Sequence, residues 1–166
     1  FPVKVKQTSV ILTYRTALQD SHLLYLKMSV IPNLRGHHLI CLHFFNGKGY
    51  NREFTKNLRR VLEKSENLGV EVSVGADDVC MECPYMRDKK CCSEDHSNQE
   101  IIEMDEFALK LLKEASDSKL GWNALKEKIP AIFHLWLERY CKRCCWVNAC
   151  EENLYYLRLR DGKDTF

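Results

Sequence analysis

Apolar residues recur with the period of an α-helix in two well-separated segments of the chain. The first segment follows Asn51, a suitable N-cap, and precedes Gly69, a residue type that commonly ends helices. Its predicted buried face consists of Phe54, Leu58, Val61, Leu62 and Ser65. The second segment predicts another amphipathic helix, whose buried face consists of Ile101, Met104, Ala108, Leu111, Leu112 and Ala115.

The pattern after Gly121 predicts two further helices in succession. Residues 122–128 suit a short helix, and Pro130 suits the first position of a last helix, where its missing N–H is not needed. The positions of that last helix that should face inward are Ile132, Phe133, Trp136, Leu137 and Tyr140.

Strand signals are sparse. Strict alternation occurs in Val70-Glu71-Val72-Ser73-Val74, which predicts one short strand with a buried face. The apolar run at residues 39–45 fits a helix or a buried strand, and we favour a helix because Leu39, Leu42 and His43 share one helical face. The polar residues 85–100 predict a loop. These elements together predict a small, single-domain, mainly helical α+β protein.

Residues 1–27 show no sustained periodicity apart from a short run at residues 8–12 that fits a strand. Met28 directly precedes the first patterned segment. We therefore expect residues 1–27 to be an upstream extension or poorly ordered leader, and residues 28–166 to form the domain. His22, in this leader, is expected to be inert.

Composition describes an ordinary soluble protein. Of the 166 residues, 45% are hydrophobic and 29% are charged, and the formal net charge is +2. So small a charge gives no support for a nucleic-acid partner or an anionic membrane surface. No apolar run reaches the roughly 20 residues that a membrane-spanning helix needs.

Nine cysteines change this picture, because nine is a high number for a chain of this length and an odd number of cysteines cannot all form pairs. They cluster as Cys-x-x-Cys, which suits a metal in a reducing compartment better than a disulfide framework. Cys80 with Cys83, and Cys141 with Cys144, can each present two converging thiolates from one tight turn. We expect a cytoplasmic metal-binding protein.

Further thiols lie within loop reach of these two pairs. They are Cys150 for the second pair and Cys91, or its neighbour Cys92, for the first. Six candidate ligands exceed the four that one tetrahedral site needs. Either the extra two lie just outside the direct ligands or exchange with them, or there are two metals. Cys92 and Cys145 each stand beside a stronger candidate, and ordinary buried core cysteines are the better prediction for both.

Zinc and iron–sulfur clusters both accept four thiolates, so the ligand type does not select the metal. The surplus of thiols, and Pro84 directly after a candidate ligand, favour iron–sulfur. Trp146, next to the second pair, is expected to cover the metal as a hydrophobic lid.

His37 and His38 are adjacent and lie one helical turn before Cys41. Three roles fit them: metal ligand, proton donor beside a cluster, or partner that lowers the Cys41 pKa. All three residues are therefore candidate catalytic residues. The histidines without such a context are expected to be structural or surface residues, namely His43, His96 and His134. The carboxylates before the first pair are expected to form its turn, namely Asp77 and Asp78.

Four motifs together resemble the prokaryotic domain of unknown function 1284 family. They are Arg35-Gly36-His37-His38-Leu39-x-Cys41-Leu42, Gly47-Lys48-Gly49-Tyr50, Asp77-Asp78-Val79-Cys80-x-x-Cys83-Pro84 and Cys141-x-x-Cys144-x-Trp146. The resemblance covers about residues 34–153. Members are regarded as iron–sulfur-binding proteins without an assigned reaction. The resemblance implies a metal site made of Cys80, Cys83, Cys91, Cys141, Cys144 and Cys150.

The expected function is that of an iron–sulfur protein, for example with a 4Fe–4S cluster held by cysteines from both halves of the chain. Its role is redox or enzymatic, and its partner is an unidentified electron-transfer or small-molecule partner. One alternative is a zinc-stabilised module that binds a protein or nucleic acid through the basic helix face at Arg59 and Arg60. Another is a thiol-dependent enzyme that uses Cys41 with His37 or His38.

Overall fold

A computed structural model describes residues 30–93 and 97–163. The predictions for residues 1–27, for His22 and for His96 lie outside these described residues. Within them, the α-helices are α1 His38–Cys41, α2 Arg52–Leu68, α3 Asn98–Leu112, α4 Trp122–Arg139, α5 Val147–Cys150 and α6 Leu154–Arg160. The strands are β1 Asn33–Arg35, β2 Val70–Ser73, β3 Met86–Arg87, β4 Lys90–Cys91 and β5 Lys119–Leu120. Single 3₁₀ turns span Leu42–Phe44, Cys80–Glu82 and Cys141–Arg143. The mainly helical α+β prediction is confirmed.

Strand β2 is the centre of a three-stranded sheet. It pairs in parallel with β1, so that Leu34 lies opposite Val72, and antiparallel with β5. The predicted alternation is present, because Val70 and Val72 are buried while the residues between and after them are half-buried. Strand β1 has only three residues, too few for its own sequence to show a period of two.

Helix α2 follows its sequence signals closely. The Asn51 side chain accepts the Phe54 backbone N–H at 2.8 Å and so caps the first turn. Gly69 ends the helix with a positive φ of 79°, a conformation that favours glycine. The face that carries Phe54 is buried, whereas Arg59 and Arg60 are exposed on the opposite side.

The prediction of two helices after Gly121 is wrong, since α4 runs without interruption and contains Pro130. A proline inside a helix leaves the carbonyl four residues earlier without its usual N–H donor. Here that carbonyl belongs to Lys126, and the Tyr155 hydroxyl donates a hydrogen bond to it at 3.0 Å. The contact from α6 thus supplies the missing donor.

The predicted loop at residues 85–100 is also wrong in part. Strands β3 and β4 form a hairpin whose two connecting residues, Asp88 and Lys89, have φ values of 46° and 62°. Positive φ at both positions is the requirement of the tight turn that joins two adjacent strands. Two-residue strands are too short to show alternation, so the polar composition concealed this hairpin.

The segment that carries the candidate histidines is fixed to the core by α1 and the turn after it. The favoured helix is confirmed over a shorter span than predicted, with Leu39 and Ile40 fully buried. Phe44 then contacts Phe133 of α4 and Tyr156 of α6 edge to face, with ring centroids 5.3 Å apart in both pairs. Both helices therefore hold α1 in place.

Gly36 brings the chain between β1 and α1 against the backbone of α3. A Cβ at this position would lie 2.2 Å from the backbone oxygen of Asp105, far inside van der Waals contact. Glycine is needed here for close approach and not for an unusual backbone angle.

Replacing Gly36 with alanine is expected to lower the free energy of unfolding by about 1–3 kcal/mol, because the added methyl group overlaps the backbone of α3. The midpoint of urea unfolding measures this loss. Gly121→Ala is the matched control, since the nearest atom to a Cβ there is 3.9 Å away. Equal losses in the two variants would contradict the close-approach argument.

Tyr155→Phe is expected to cost about 0.5–1 kcal/mol by removing the donor to the Lys126 carbonyl. In a Pro130→Ala background the same substitution should cost less, because alanine at that position could supply its own N–H to the carbonyl. Urea unfolding of the four proteins in this double-mutant cycle gives the coupling. Identical costs in both backgrounds would show that the hydroxyl does not replace the missing amide.

Candidate functional site

Asp77 orients His38 while it shapes the first Cys-x-x-Cys turn. Its Oδ1 accepts the backbone N–H groups of Val79 and Cys80 at 3.0 and 3.1 Å. Its Oδ2 accepts the Arg35 backbone N–H at 2.8 Å and lies 2.6 Å from Nδ1 of His38. Burial alone would raise the pKa of Asp77, but His38 and these donors outweigh burial and hold the pKa well below its usual value. The predicted turn-forming role is confirmed, and the contact with His38 adds a second one.

Asp105 orients His37 in the same way. Its Oδ1 lies 2.6 Å from Nδ1 of His37 and also accepts the backbone N–H of that residue at 3.0 Å. Its Oδ2 accepts Nε–H of Arg35 at 2.7 Å. The sequence reasoning missed Asp105, although one signal was present: it lies on the face of α3 that buries Ile101 and Ala108. A carboxylate on a buried helical face requires partners.

These two carboxylates and Arg35 form a buried ionic group. Arg35 is 2% exposed, Asp77 5% and Asp105 8%. Burial works against the charge of Arg35, but the charge of Asp105 and its hydrogen bond raise the Arg35 pKa above the ordinary value. Two anions and one cation give this group a net charge of −1, close to both histidines.

His37 is a neutral imidazole near pH 7. Burial, with a smaller contribution from neighbouring His38, lowers its pKa to about 4. An ionised carboxylate only accepts hydrogen bonds, so the hydrogen in each His–Asp contact lies on Nδ1. The ring nitrogen not engaged by Asp105 or Asp77 is therefore Nε2 in both histidines. The two rings are tilted with centroids 4.1 Å apart.

Both histidines lie on the wall of a cavity of about 210 Å³. Apolar side chains from α2, from α3 and from the 3₁₀ turn after α1 line much of it. The cysteines among the described residues on its wall are Cys41, Cys141, Cys144, Cys145 and Cys150. The structure thus brings the candidate residues His37, His38 and Cys41 together with the second Cys-x-x-Cys pair.

Four of these thiols, Cys41, Cys141, Cys144 and Cys150, we call the four-cysteine group. Burial, followed by repulsion from the other three, raises the pKa of Cys41 well above its ordinary value. The same two causes raise the pKa of Cys141 to about 12 and contribute to raising that of Cys150 to about 11. Cys41, Cys141 and Cys150 therefore favour the thiol form at neutral pH unless a cation compensates the charge of their thiolates.

Separate elements deliver the four-cysteine group to the cavity. Cys41 ends α1, and Cys150 ends α5. Cys141 and Cys144 lie on the turn that follows α4, where the Cys144 N–H donates to the Cys141 carbonyl at 3.1 Å. The Asn46 side chain closes one side by donating to the backbone oxygen of Ala149 at 2.6 Å.

Hydrogen-bond donors face three of these sulfurs. The backbone N–H of Trp146 donates to Sγ of Cys144 at 3.4 Å. The Tyr156 hydroxyl lowers the pKa of Cys141 as a donor, and the Trp136 indole does the same for the Cys41 pKa. Among the described residues, the fully buried Trp136 Nε1 has no acceptor in good hydrogen-bond geometry. A thiolate at Cys41 would use this donor.

The first Cys-x-x-Cys pair lies in different surroundings. Neither Cys80 nor Cys83 is among the described residues that line the cavity. Sγ of Cys80 is 3.9 Å from Nη1 of Arg35, and burial together with the charge of Asp77 raises the Cys80 pKa to about 12. Cys83 interacts instead with Cys91 of the β3–β4 hairpin, and burial raises its pKa. The expectation that both pairs share one metal stays a prediction.

Tyr50 joins the hairpin to the second pair. Its ring contacts Tyr85 and Trp146 edge to face at 4.9 and 4.8 Å, and its oxygen accepts Nε1–H of Trp146 at 3.3 Å. The thiols close enough to affect its ionisation are Cys83, Cys91 and Cys145. Trp146 lines the cavity. Its role as a lid over a metal stays a prediction.

Several secondary predictions are tested as well. Cys92 and Cys145 are exposed, so the expectation that they are buried is wrong. Cys92 follows the two-residue strand β4, and Cys145 follows the turn after α4, so neither lies in a core element. His43 is structural as expected: it stacks on Trp122 at 3.9 Å, and burial lowers its pKa to about 3. His134 is exposed on α4, also as expected.

The spacing of the sulfurs bears on the kind of centre they could hold. Within the described part of the chain, only His38, Asp77 and Cys80 bring three candidate ligand atoms within 4.8 Å of one another. In every set of three sulfurs from the four-cysteine group, at least two of the sulfurs are therefore more than 4.8 Å apart. A tetrahedral zinc site with Zn–S bonds of about 2.3 Å holds its sulfurs about 3.8 Å apart.

Fold and site define a small α+β protein with a cysteine-rich cavity. The chain belongs to the family described as "Protein of unknown function (DUF1284)", whose model matches residues 49–150. The resemblance inferred from the motifs is thus confirmed for this range, and His37, His38 and Cys41 precede it. No curated protein and no solved structure matches the chain. None of the helices described is long and apolar enough to cross a membrane.

The pKa of about 4 predicts that His37 stays neutral well below the ordinary histidine value of about 6.5. Between these two pH values the unfolded chain binds the extra proton, so this histidine makes stability fall as the pH is lowered through that window. NMR titration of the His37 ring Hε1 signal measures the midpoint. A midpoint between about pH 6 and 7, the ordinary range, would contradict the neutral state proposed for this ring.

Proposed function

We propose that this protein binds an iron–sulfur cluster through Cys41, Cys141, Cys144 and Cys150. The observation that carries the proposal is the convergence of four thiols, one buried and three half-buried, on one cavity at a spacing wider than a single zinc ion requires. A polynuclear cluster separates its thiolate ligands further than a single ion does, and four cysteines are its usual ligand set.

The surroundings of the sulfurs support the same conclusion. Hydrogen bonds from Trp136 and Tyr156 oppose part of the rise in the pKa of Cys41 and Cys141, and the Trp146 backbone N–H donates to Sγ of Cys144. Hydrogen bonds to cluster sulfur and exclusion of water are two means by which proteins set a reduction potential. The apolar cavity wall and these donors fit an electron-transfer or redox role.

The proposed ligand set differs from the one that the motifs implied. Cys41 replaces the members of that set that do not line the cavity, namely Cys80, Cys83 and Cys91. Cysteines from both halves of the chain still contribute, since Cys41 precedes the other three ligands by 100 positions or more.

The alternatives receive less support. A nucleophilic thiol needs a lowered pKa, whereas burial and repulsion raise that of Cys41.

A zinc ion at His38, Asp77 and Cys80 would compete with the four N–H groups that already donate to Asp77, and it would face the Arg35 guanidinium. Arg59 and Arg60 lie on an exposed helix face of the kind that solvent usually covers.

Anaerobically purified protein is expected to contain iron and acid-labile sulfide and to absorb visible light. Cys41→Ser and Cys141→Ser should each remove most of the iron, because serine is a poor replacement for a thiolate ligand. Cys83→Ser and Cys92→Ser are the matched controls and should retain it. Metal analysis and the visible spectrum provide the measurements.

Two results would contradict this proposal in different ways. Colourless protein with stoichiometric zinc would show that zinc, and not an iron–sulfur cluster, occupies the site. Iron lost in Cys83→Ser but kept in Cys41→Ser would restore the ligand set implied by the motifs.

A further inference from the structure

The adjacent histidines have an arrangement that electron transfer through four cysteines does not require. Each ring is held by a separate buried carboxylate, His37 by Asp105 and His38 by Asp77, with Nδ1···Oδ distances of 2.6 Å in both cases. Arg35 holds both carboxylates in position, because its backbone N–H donates to Asp77 and its Nε–H donates to Asp105. The ring positions are therefore fixed in advance.

A carboxylate on one ring nitrogen is the usual companion of a metal on the other. Metal-binding histidines commonly donate their second N–H to a carboxylate, which selects the tautomer, orients the ring and makes the ligating nitrogen more basic. His37 and His38 present this arrangement twice, on neighbouring residues whose ring centroids are 4.1 Å apart.

Charge favours a cation at this place. The buried group of Arg35, Asp77 and Asp105 has a net charge of −1, and burial strengthens its effect on a nearby ion. The cavity that both histidines line contains no lysine or arginine among its described lining residues except Lys48, which forms an ion pair with Glu152 at 2.5 Å. A metal ion at the rings would offset the buried negative charge.

We propose that Nε2 of His37 and Nε2 of His38 bind a transition-metal ion in the cavity, with Asp105 and Asp77 as positioning residues. Two sources of that ion share the same imidazole chemistry. One is an iron atom of the cluster that would bind imidazole in addition to its sulfur ligands, in which case the inference rests on the proposed function. The other is a separate divalent ion beside the four-cysteine group, in which case it does not. Two imidazoles leave coordination positions for water or a substrate, which a site closed by four thiolates does not offer.

X-ray absorption at the iron edge of anaerobically purified wild-type protein tests the first source. Imidazole and sulfur scatter differently, so the thiolate ligation of the proposed function and the imidazole ligation proposed here are read separately from one spectrum. Imidazole scattering that disappears in the His37→Ala/His38→Ala double variant and persists in His134→Ala would assign the histidines to cluster iron. His134 is a suitable control because it is exposed on α4.

Titration with Co²⁺ tests the second source. If the ion is separate from the cluster, the double variant should bind Co²⁺ at least about tenfold more weakly than wild type, and His134→Ala should bind it equally well. Asp105→Asn should weaken binding about 10- to 100-fold while leaving both imidazoles in place. Circular dichroism and urea unfolding identify any variant that does not fold.

A readout on the wild-type protein needs no substitution. Paramagnetic Co²⁺ bound at Nε2 should shift the ring signals of His37 and His38 strongly in the NMR spectrum and leave those of His134 in place. The proposal is overturned if the iron edge shows no imidazole and if Co²⁺ neither shifts these two rings nor binds more weakly to the double variant. Iron bound by sulfur alone in that case would leave the proposed function intact.

Discussion

The fixed position of Arg35 between two buried carboxylates is the constraint on which the site depends. Its backbone is part of β1, and its side chain reaches α3, so one residue connects the sheet to a helix distant in sequence. Buried charges are stable only when paired and hydrogen-bonded, and removal of one partner leaves the others without compensation. The same network that satisfies Asp77 and Asp105 also determines where His37 and His38 point.

Two chemically different groups meet at the cavity because of this network. The imidazoles come from His37, just before α1, and from His38, the first residue of α1, whereas the thiols come mainly from the chain after α4. Cys41 belongs to both regions, since it follows the histidines by one helical turn and joins the four-cysteine group. The raised thiol pKa values favour a cation in the cavity. The net negative charge of the buried group of Arg35, Asp77 and Asp105 favours one there as well.

The sequence predicted elements whose signals are local. The cap at Asn51, the end at Gly69 and the alternation at Val70–Ser73 each depend on neighbouring residues, and all are present. Errors occurred where a distant partner decides the outcome: Tyr155 supplies the donor that lets α4 continue through Pro130. For the site, spacing identified the histidines and the second cysteine pair as candidates. It could not identify Asp105 as the partner of His37, because 68 residues separate them.

The first Cys-x-x-Cys turn shows why a motif can be informative for a reason other than its cysteines. Asp77 accepts the N–H groups of Val79 and Cys80, and so it stabilises the start of the 3₁₀ turn from its own side chain. The other carboxylate oxygen faces His38 and the backbone of Arg35. A substitution that preserved both cysteines but removed this carboxylate would release the turn and the imidazole together. This segment therefore contributes to the cavity directly through Val79, which lines it, and indirectly through Asp77, which orients His38. Its thiols face Arg35 and the hairpin.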